Sequence, residues 1–287
     1  MRIAVLMHGI VGNADKFGTG TQMDCEISHK HFVKHILEKN ENVDVFMHSW
    51  SVDAEEKLTE LYSPKKKIIE KQKIFDFEYT VGNPETKGKR IRADFGNHNG
   101  KFKGLENLRF HSMFSRWYSA KMANELKKEY EKENNFKYDF VMLTRYDLAY
   151  VVDFEFNKFP KDKFLVIGPD GHQHGINDLW FISSSEKMDL FSKMFKYVSS
   201  INHFPHKFIH SHFLSKQFLI ETGMINDIVF VGPERPWEMG PEGEKLGPSP
   251  LVRHHYNLQE YTSNDYMNKV RTGILELHGM ENDFTES

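Results

Sequence analysis

Cysteine is almost missing from this chain of 287 residues: Cys25 is the only one. A single thiol cannot form a disulfide within the chain, and it cannot supply the cysteine ligands of a structural zinc site. Disulfide-stapled folds and cysteine-based zinc sites are therefore excluded. The composition favours a reducing compartment, and we expect a cytoplasmic protein.

Long apolar runs and an excess of charge of one sign are missing as well. No run approaches the ~20 apolar residues that a membrane span needs, so we expect no transmembrane segment. Lys+Arg 38 against Asp+Glu 41 gives a net charge of -3. A nucleic-acid-binding protein normally carries a basic excess, so we expect no nucleic-acid partner. With 39% hydrophobic and 14% aromatic residues, the chain can bury a core and is predicted to be globular.

Several familiar catalytic motifs are also absent. The sequence has no Walker A loop, no Gly-x-Gly-x-x-Gly after a strand, no His-Glu-x-x-His and no Gly-x-Ser-x-Gly. These absences count against P-loop kinases, dehydrogenases, zinc proteases and α/β-hydrolases.

Strand-like and helix-like segments alternate along the chain, which predicts an α/β fold with a mostly parallel sheet flanked by helices. The predicted strands are Ile3–Met7, Val43–Met47, Phe140–Leu143, Phe164–Ile167, Leu179–Ile182 and Ile228–Val231. The predicted helices are Ser28–Lys39, Asn107–Asn134, Lys187–Val198 and Lys207–Thr222. The Phe140 strand is short and wholly apolar, as a strand buried on both faces requires.

The remaining segments complete a single predicted domain over residues 1–280, followed by a flexible tail at 281–287. Residues 76–104 contain five glycines and little apolar periodicity, and are interpreted as an insertion. Residues 232–250 hold five of the ten prolines and are interpreted as a long loop. The charged segment 51–73 is predicted to be partly helical, with Lys65–Lys67 on a solvated helix face. From Lys127 onward the long helix is highly charged, which predicts an exposed far end.

Polar side chains stand at the ends of four predicted strands. His8 and Gly9 leave the first strand, His48 to Trp50 follow the second, Arg145 and Asp147 follow the Phe140 strand, and Asn177-Asp178 adjoins the Leu179 strand. If these strands are parallel, their carboxyl ends share one edge of the sheet, where ligands of open α/β sheets bind. Arg145 beside Asp147 is either a plain ion pair or a phosphate clamp next to a metal ligand.

Each of these groups has a chemistry suited to a phosphorylated ligand. Gly9 allows the backbone to approach a nucleotide, and Arg145 can pair with phosphate oxygens in a fork. Asp147 can hold a hard divalent cation, which prefers oxygen ligands. Asp178 can serve as a general base or as a second carboxylate.

Three further side chains are weaker candidates. Trp117 and Lys121 lie on the long helix and can line a nucleotide pocket, although Trp117 suits the hydrophobic core better. His255 can supply a metal ligand from the C-terminal region, but it is one of 16 histidines scattered through the chain.

Three stretches, in this order, resemble the GT-A-type glycosyltransferases of the phage, viral and bacterial surface-glycan kind. They are Asp44-Val-Phe-Met-His-Ser-Trp50, Tyr138-Asp-Phe-Val-Met-Leu-Thr-Arg-Tyr-Asp-Leu148 and Asn177-Asp-Leu-Trp-Phe181. The resemblance covers roughly residues 1–225 of the chain, and its order and spacing are more specific than any single motif.

The resemblance implies a GT-A-like, Rossmann-related fold and a hexosyltransferase-like activity. The enzyme would move a sugar from a nucleoside-diphosphate donor to a glycan or other hydroxyl acceptor. His8, Gly9, Trp117, Lys121, Arg145 and Asn177 would bind the nucleotide-sugar. Manganese or magnesium would bind Asp147 and His255, and Asp178 would be the base if the enzyme inverts configuration.

The sequence departs from the family at its Asp-x-Asp motif, which binds the metal and the donor pyrophosphate. Arg145-Tyr146-Asp147 keeps only the second carboxylate, and Arg145 can take over part of the cation's role. Two other functions stay open: a metal-dependent nucleotidyltransferase, and a non-catalytic nucleotide- or glycan-binding protein of the same fold.

Overall fold

A computed structural model describes residues 1–11, 25–73, 75, 78–81, 89–92, 105–150, 153–167, 175–204, 211–231 and 251–253. The predicted loop 232–250, the tail 281–287 and His255 lie outside the described residues, as does most of the predicted insertion 76–104.

The described residues contain twelve strands and six α-helices. The strands are β1 (Ile3–Gly9), β2 (Val43–Ser49), β3 (Lys66–Ile69), β4 (Glu78–Val81), β5 (Lys89–Arg92), β6 (Phe140–Arg145), β7 (Leu148–Tyr150), β8 (Phe164–Val166), β9 (Phe181–Ser183), β10 (His203–Phe204), β11 (Ile228–Phe230) and β12 (Leu251–Arg253). The helices are α1 (Cys25–Phe32), α2 (Glu55–Tyr62), α3 (Leu105–Asn134), α4 (Ser185–Phe191), α5 (Met194–Ser199) and α6 (Ser211–Glu221).

Seven of the strands form one mixed sheet in the order β11-β8-β9-β6-β1-β2-β3. β1 pairs in parallel with β2 and β6, β2 pairs in parallel with β3, and β8 pairs in parallel with β11. Only β9 runs the other way, and it is antiparallel to both β6 and β8. The predicted α/β class with a mostly parallel sheet is confirmed.

The two central strands are buried on both faces because their apolar residues alternate between two hydrophobic cores. Ala4 and Leu6 of β1 face a core that contains α3. Their neighbours Val5 and Met7 face the core that contains α1 and α2. Helices therefore cover both faces of the sheet, as predicted.

The long helix α3 spans 30 residues, close to its predicted bounds, and packs on β1, β2 and β3. The predicted exposure of its far end from Lys127 is confirmed for Glu129 and residues 132–134, but it is wrong for two charged residues. Lys127 is 0% exposed and Glu131 is also buried. Both charges face the helix α4 instead of solvent, which the local charge pattern does not reveal.

Lys127 and Glu131 belong to a network of hydrogen-bonded charges between α3 and α4. The Lys127 ammonium donates to Asp189 at 2.8 Å and to the Ser185 hydroxyl at 2.5 Å, and lies 3.4 Å from Glu131. Glu131 in turn accepts from Ser185 at 2.6 Å and from Lys137 at 2.8 Å. These contacts offset the cost of taking the charges out of water.

The interpretation of Lys65–Lys67 as a helix face is also wrong. The helix ends at Tyr62, since Ser63 takes a left-handed conformation with φ 41°. The lysines then lead into β3, the last strand of the described sheet on this side. Lys66 pairs with Glu133 of α3 at 2.7 Å, and Lys67 pairs with Glu55 of α2 at 2.9 Å.

Other predicted elements are present with different bounds. The helix expected over Ser28–Lys39 begins at Cys25 and continues as a π-helical turn over Val33–Leu37. The helix expected over Lys187–Val198 is broken into α4 and α5. The insertion 76–104 contains an antiparallel pair, β4 and β5, so it has more regular structure than its glycines suggest.

Two small sheets accompany the main one. β10 pairs with β4 in a sheet with β5, and β12 pairs with β7 next to Arg145 in the chain. In the described part of the chain, no helix is both long and apolar enough to cross a membrane.

Candidate functional site

The candidate site lies where the chain changes direction across the sheet. From β1 the chain moves outward through β2 to β3, and then returns along α3 to β6 on the other side of β1. The crevice between β1 and β6 is therefore a topological switch point, the place where open α/β sheets bind ligands.

Three polar side chains form a row across this crevice. In the strand register, His8 of β1 is paired with His48 of β2 on one side and with Arg145 of β6 on the other. Side chains alternate between faces along a strand, so His8 and Arg145 share the face of Leu6 and Leu143, on which α3 packs. The predicted convergence of His8 and Arg145 at one sheet edge is confirmed.

The reversed direction of β9 brings Asn177 and Asp178 to the same edge. These residues precede an antiparallel strand, so they lie beside the carboxyl end of β6. Asp178 is 4% exposed, and its carboxylate lies 3.1 Å from the Arg116 guanidinium and 3.0 Å from His212 Nε2. Burial raises the pKa of Asp178, but the charges of Arg116, His212 and Arg145 outweigh it and hold this pKa well below its usual range.

The sequence-based candidates include neither Arg116 nor His212. Arg116 is a cation within the apolar part of α3, beside Met113 and Trp117, and this position was the signal available. His212 reaches Asp178 because the backbone of α6 comes very close to Gly175. A Cβ atom on Gly175 would lie 2.5 Å from the carbonyl carbon of His212, so glycine is required there.

Arg145 and Asp147 form a bidentate pair. Arg145 Nε donates to Asp147 Oδ1 at 2.7 Å, and Nη2 donates to Oδ2. Of the two interpretations left open by the sequence, the ion pair is the one present in the structure. The pair fixes the guanidinium plane at the end of β6.

His8 is a buried histidine without a hydrogen-bond partner among the described residues. It is 2% exposed, and no described residue bonds to either ring nitrogen. Burial, followed by the charges of Arg116 and Arg145, lowers the pKa of His8 well below its ordinary value. The ring is therefore neutral at pH 7 and offers one donor and one acceptor to a ligand.

Asn177 also carries an amide group that no described residue bonds. Its Oδ1 accepts from the backbone N–H of Leu179 at 3.2 Å, while its buried Nδ2 has no partner in the described part of the chain. Buried polar groups are nearly always hydrogen-bonded in proteins. Unpartnered groups on His8 and Asn177 at one sheet edge therefore indicate a binding site.

A chain of polar contacts through Gly9, Ser119, His48 and Glu70 holds α3 against the sheet edge. Gly9 has φ +106°, which glycine tolerates best, and its N–H donates to Ser119 Oγ at 2.8 Å. His48 Nδ1 lies 2.7 Å from the same hydroxyl, and His48 Nε2 lies 3.2 Å from Glu70. Ser119 is completely buried, so the chain of contacts positions Gly9 and Arg116 and does not present a nucleophile.

A pocket of about 400 Å³ opens next to this row, at the ends of β1 and β2. Trp50 forms one wall and stacks on Tyr118, with ring centroids 5.4 Å apart. The pocket is large enough for a small ligand or part of one. Its lining residues are Val11, Trp50, Ser51, Val52, Asp53, Lys71 and Gln72.

Two predicted nucleotide-binding residues lie elsewhere. Trp117 is 1% exposed and packs between Phe181 and Phe191 in the core, which corrects its assignment to a nucleotide pocket. Lys121 extends toward α5, where its ammonium lies 5.9 Å from the Phe195 ring. The structure does not bring Lys121 to the row of His8 and Arg145.

The carboxylates at this edge do not fit a divalent cation. Both oxygens of Asp147 are held by Arg145, and Asp178 is held by Arg116 and His212. The described residues contain no group of three His, Cys, Asp or Glu side chains arranged to hold a metal ion. His255, the other predicted ligand, lies outside these residues.

Buried neutral histidines predict that the protein loses stability in acid. His35 is 3% exposed, and burial lowers its pKa from 6.5 to about 4 although Asp153 at 2.7 Å opposes the shift. Between these two pKa values the unfolded chain binds a proton that the folded chain does not. Stability therefore falls as the pH is lowered from about 7 to about 5.

We expect His35→Gln to reduce this acid-induced loss by about 1–2 kcal/mol, which urea denaturation at both pH values measures. Equal losses in the variant and the unchanged protein would contradict the assignment. The dependence of stability on pH that remains in the variant comes in part from His8 and His48, because burial also lowers their pKa values.

The chain was compared with models of protein families and with curated proteins. A family model described as a domain of unknown function (DUF7796) matches residues 2–213. No curated protein matches the chain.

Proposed function

As the chain belongs to the DUF7796 family, whose description assigns no activity, we propose from its own residues that it is a nucleotide-sugar-dependent glycosyltransferase. It transfers a sugar, hexosyltransferase-like, from a nucleoside diphosphate to a hydroxyl group of a glycan or another acceptor. The proposed enzyme has a GT-A-like fold, a variant of the Rossmann architecture.

One observation carries the proposal: a row of His8 and Arg145 at the switch point of a mostly parallel sheet, next to a pocket of about 400 Å³. A nucleoside diphosphate needs a slot for its base and ribose and an adjacent group of cationic and N–H donors for its phosphates. The pocket at Trp50 and the edge at Arg145 supply these two requirements side by side.

The order of the first four strands of the main sheet also supports the proposal. Counted along the chain, β3, β2, β1 and β6 lie in the order 3-2-1-4, which is the order that begins a Rossmann sheet. Nucleotides bind such sheets at the switch point, which here is the crevice between His8 and Arg145.

The residues of the pocket suit the nucleoside part of the donor. Asp53 is exposed and follows β2, where an acidic residue can accept hydrogen bonds from ribose hydroxyls. Trp50 also lines the pocket, and its aromatic ring offers a surface next to the base or ribose. We place the base and ribose here and the diphosphate toward His8.

Transfer breaks the bond between the anomeric carbon of the sugar and the diphosphate oxygen, which keeps the electron pair. A new bond forms to the acceptor oxygen, and the hydroxyl proton passes to a base. Negative charge grows on the leaving diphosphate, and Arg145 with the N–H donors of His8 and Asn177 stabilises it.

The role of Asp178 as that base stays a prediction. A carboxylate with a strongly lowered pKa is a weak proton acceptor. Its contacts with Arg116 and His212 favour the alternative role, in which Asp178 orients these two cations around the donor.

The test is a thermal-shift screen with UDP, GDP, CMP and ADP, followed by detection of free nucleoside diphosphate from the matching nucleotide-sugar. We expect one nucleotide to raise the melting temperature, because a ligand at a hundredfold excess over Kd adds about 2.7 kcal/mol of stability. Asp53→Ala should reduce the shift. Glu56→Ala, an exposed residue one turn further along, should not. No shift with any nucleotide would contradict the proposal.

The engaged carboxylates favour a second candidate, a nucleotide-binding protein without transferase activity. If Asp147 and Asp178 both serve only to hold arginines, neither of these two carboxylates acts as the base. Nucleotide binding without release of nucleoside diphosphate from any nucleotide-sugar would identify this function. Release of pyrophosphate would instead identify a nucleotidyltransferase.

A further inference from the structure

We propose that Arg116 and Arg145, and not a divalent cation, neutralise the diphosphate of the ligand. This inference rests on the proposed nucleotide site and adds to it both a residue that the sequence did not single out and independence from metal ions.

The first reason is the chemistry of the carboxylates. A hard cation that bridges a diphosphate takes its other ligands from the phosphates and water, but it still needs one or two protein carboxylates with an available oxygen. Asp147 has each oxygen engaged by Arg145, and Asp178 has one oxygen facing Arg116 and the other facing His212. Binding a cation here would require breaking contacts between buried charges, which is costly.

The second reason is that two guanidinium groups approach the crevice from different elements. Arg145 lies at the end of β6, and Arg116 lies on α3, which packs over β1. The charges of both act on His8 of the central strand β1 and on Asp178. A ligand in contact with His8 therefore lies within the field of both arginines.

The third reason is that the two arginines are oriented in advance. Asp147 fixes the plane of Arg145, and Asp178 fixes the position of Arg116 at 3.1 Å. A guanidinium carries five N–H donors, of which the fork to Asp147 uses two from Arg145. Arg145 can thus contact phosphate oxygens without leaving its carboxylate. Pre-oriented donors do not have to reorganise when charge develops.

The chain of contacts through Ser119 supports Arg116 in this role. Ser119 lies one helical turn after Arg116 and is fixed to the N–H of Gly9 at 2.8 Å and to His48 at 2.7 Å. This turn of α3 is therefore held against the carboxyl ends of β1 and β2. Arg116 is carried to the crevice by a rigid element, which is what precise positioning of a donor requires.

The experiment is calorimetric titration with the nucleoside diphosphate identified by the thermal screen. One titration contains an excess of EDTA and the other contains manganese. We expect the two Kd values to agree within about threefold. Arg116→Gln should raise Kd about ten- to hundredfold, the effect of losing a hydrogen bond between charged groups. Arg116→Lys should recover part of this loss, because it restores the charge without the planar donor group.

Controls separate phosphate recognition from damage to the fold. The double variant Arg116→Gln/Asp178→Asn leaves no uncompensated buried carboxylate, so it should fold and still bind the diphosphate weakly. The matching nucleoside without phosphates should bind Arg116→Gln as it binds the unchanged protein. Equal losses for the nucleoside and the diphosphate would show a structural effect and overturn the assignment of Arg116.

The outcomes also separate this inference from the proposed function. Binding that requires manganese and disappears in EDTA overturns the inference and leaves the nucleotide site in place. Unchanged diphosphate affinity in Arg116→Gln also overturns the inference and leaves the nucleotide site in place. Failure to bind any nucleotide, with or without manganese, overturns both.

Discussion

Replacing Lys127 with methionine lowers the free energy of unfolding by about 3–5 kcal/mol. Methionine has a length similar to that of lysine but leaves Glu131 and Asp189 without the ammonium that lies 3.4 Å and 2.8 Å from them. Removing one partner of a buried ion pair costs more than the pair contributes, because the other charge stays buried. Urea denaturation at neutral pH measures the loss, and the melting temperature should fall by on the order of 10 °C.

The neighbouring residue provides a matched control. The side chain of Lys128 is 40% exposed and pairs with Glu125 at 3.1 Å on the surface. Lys128→Met makes the same chemical change to the same helix, and it should alter stability by less than about 1 kcal/mol. Similar losses of unfolding free energy in the two variants would show that burial does not increase the contribution of the Lys127 network to stability.

For the proposed transferase reaction, we expect Arg145→Gln to lower kcat/KM for the nucleotide-sugar by about a hundredfold to a thousandfold, the usual cost of losing a pre-oriented donor to developing charge. It also destabilises the protein, since Asp147 stays buried without its guanidinium. Steady-state release of nucleoside diphosphate measures the first effect, and thermal denaturation measures the second.

A double variant separates these two effects. Arg145→Gln/Asp147→Asn places two amides where the ion pair was, so it should regain most of the lost stability without regaining activity. Recovery of activity together with stability would mean that Arg145 acts only through the fold. Loss of activity in the double variant with normal nucleoside binding supports its contact with the diphosphate.

The sequence predicts the centre of the fold well, because the information there is local. Phe140–Leu143 is an apolar run of a length that suits a doubly buried strand, and it lies in the middle of the sheet as β6. The same reasoning places His8 and Arg145 at one edge, since parallel strands with defined ends leave few alternatives. The alternation of strands and helices was sufficient for the α/β class.

The elements that the sequence predicts poorly depend on distant partners. The burial of Lys127 is decided by Asp189, 62 residues further along the chain. Arg116 joins the site because Asp178 meets it there, and His212 joins because Gly175 allows two backbones to touch. No local periodicity carries these contacts, so Lys127 and Glu131 were taken as exposed and Arg116 was not recognised as part of the candidate site.

The lysines of β3 have a consequence for the behaviour of the protein at high concentration. β3 is the edge strand on one side of the described sheet. The outer backbone N–H and C=O groups of such a strand can pair with a strand of another chain. Lys66 and Lys67 point to opposite faces, where acidic side chains of α3 and α2 hold them. A second molecule adding its own β3 there would have to bring like charges together and desolvate them. The run Lys65–Lys67 thus disfavours edge-to-edge aggregation of the sheet.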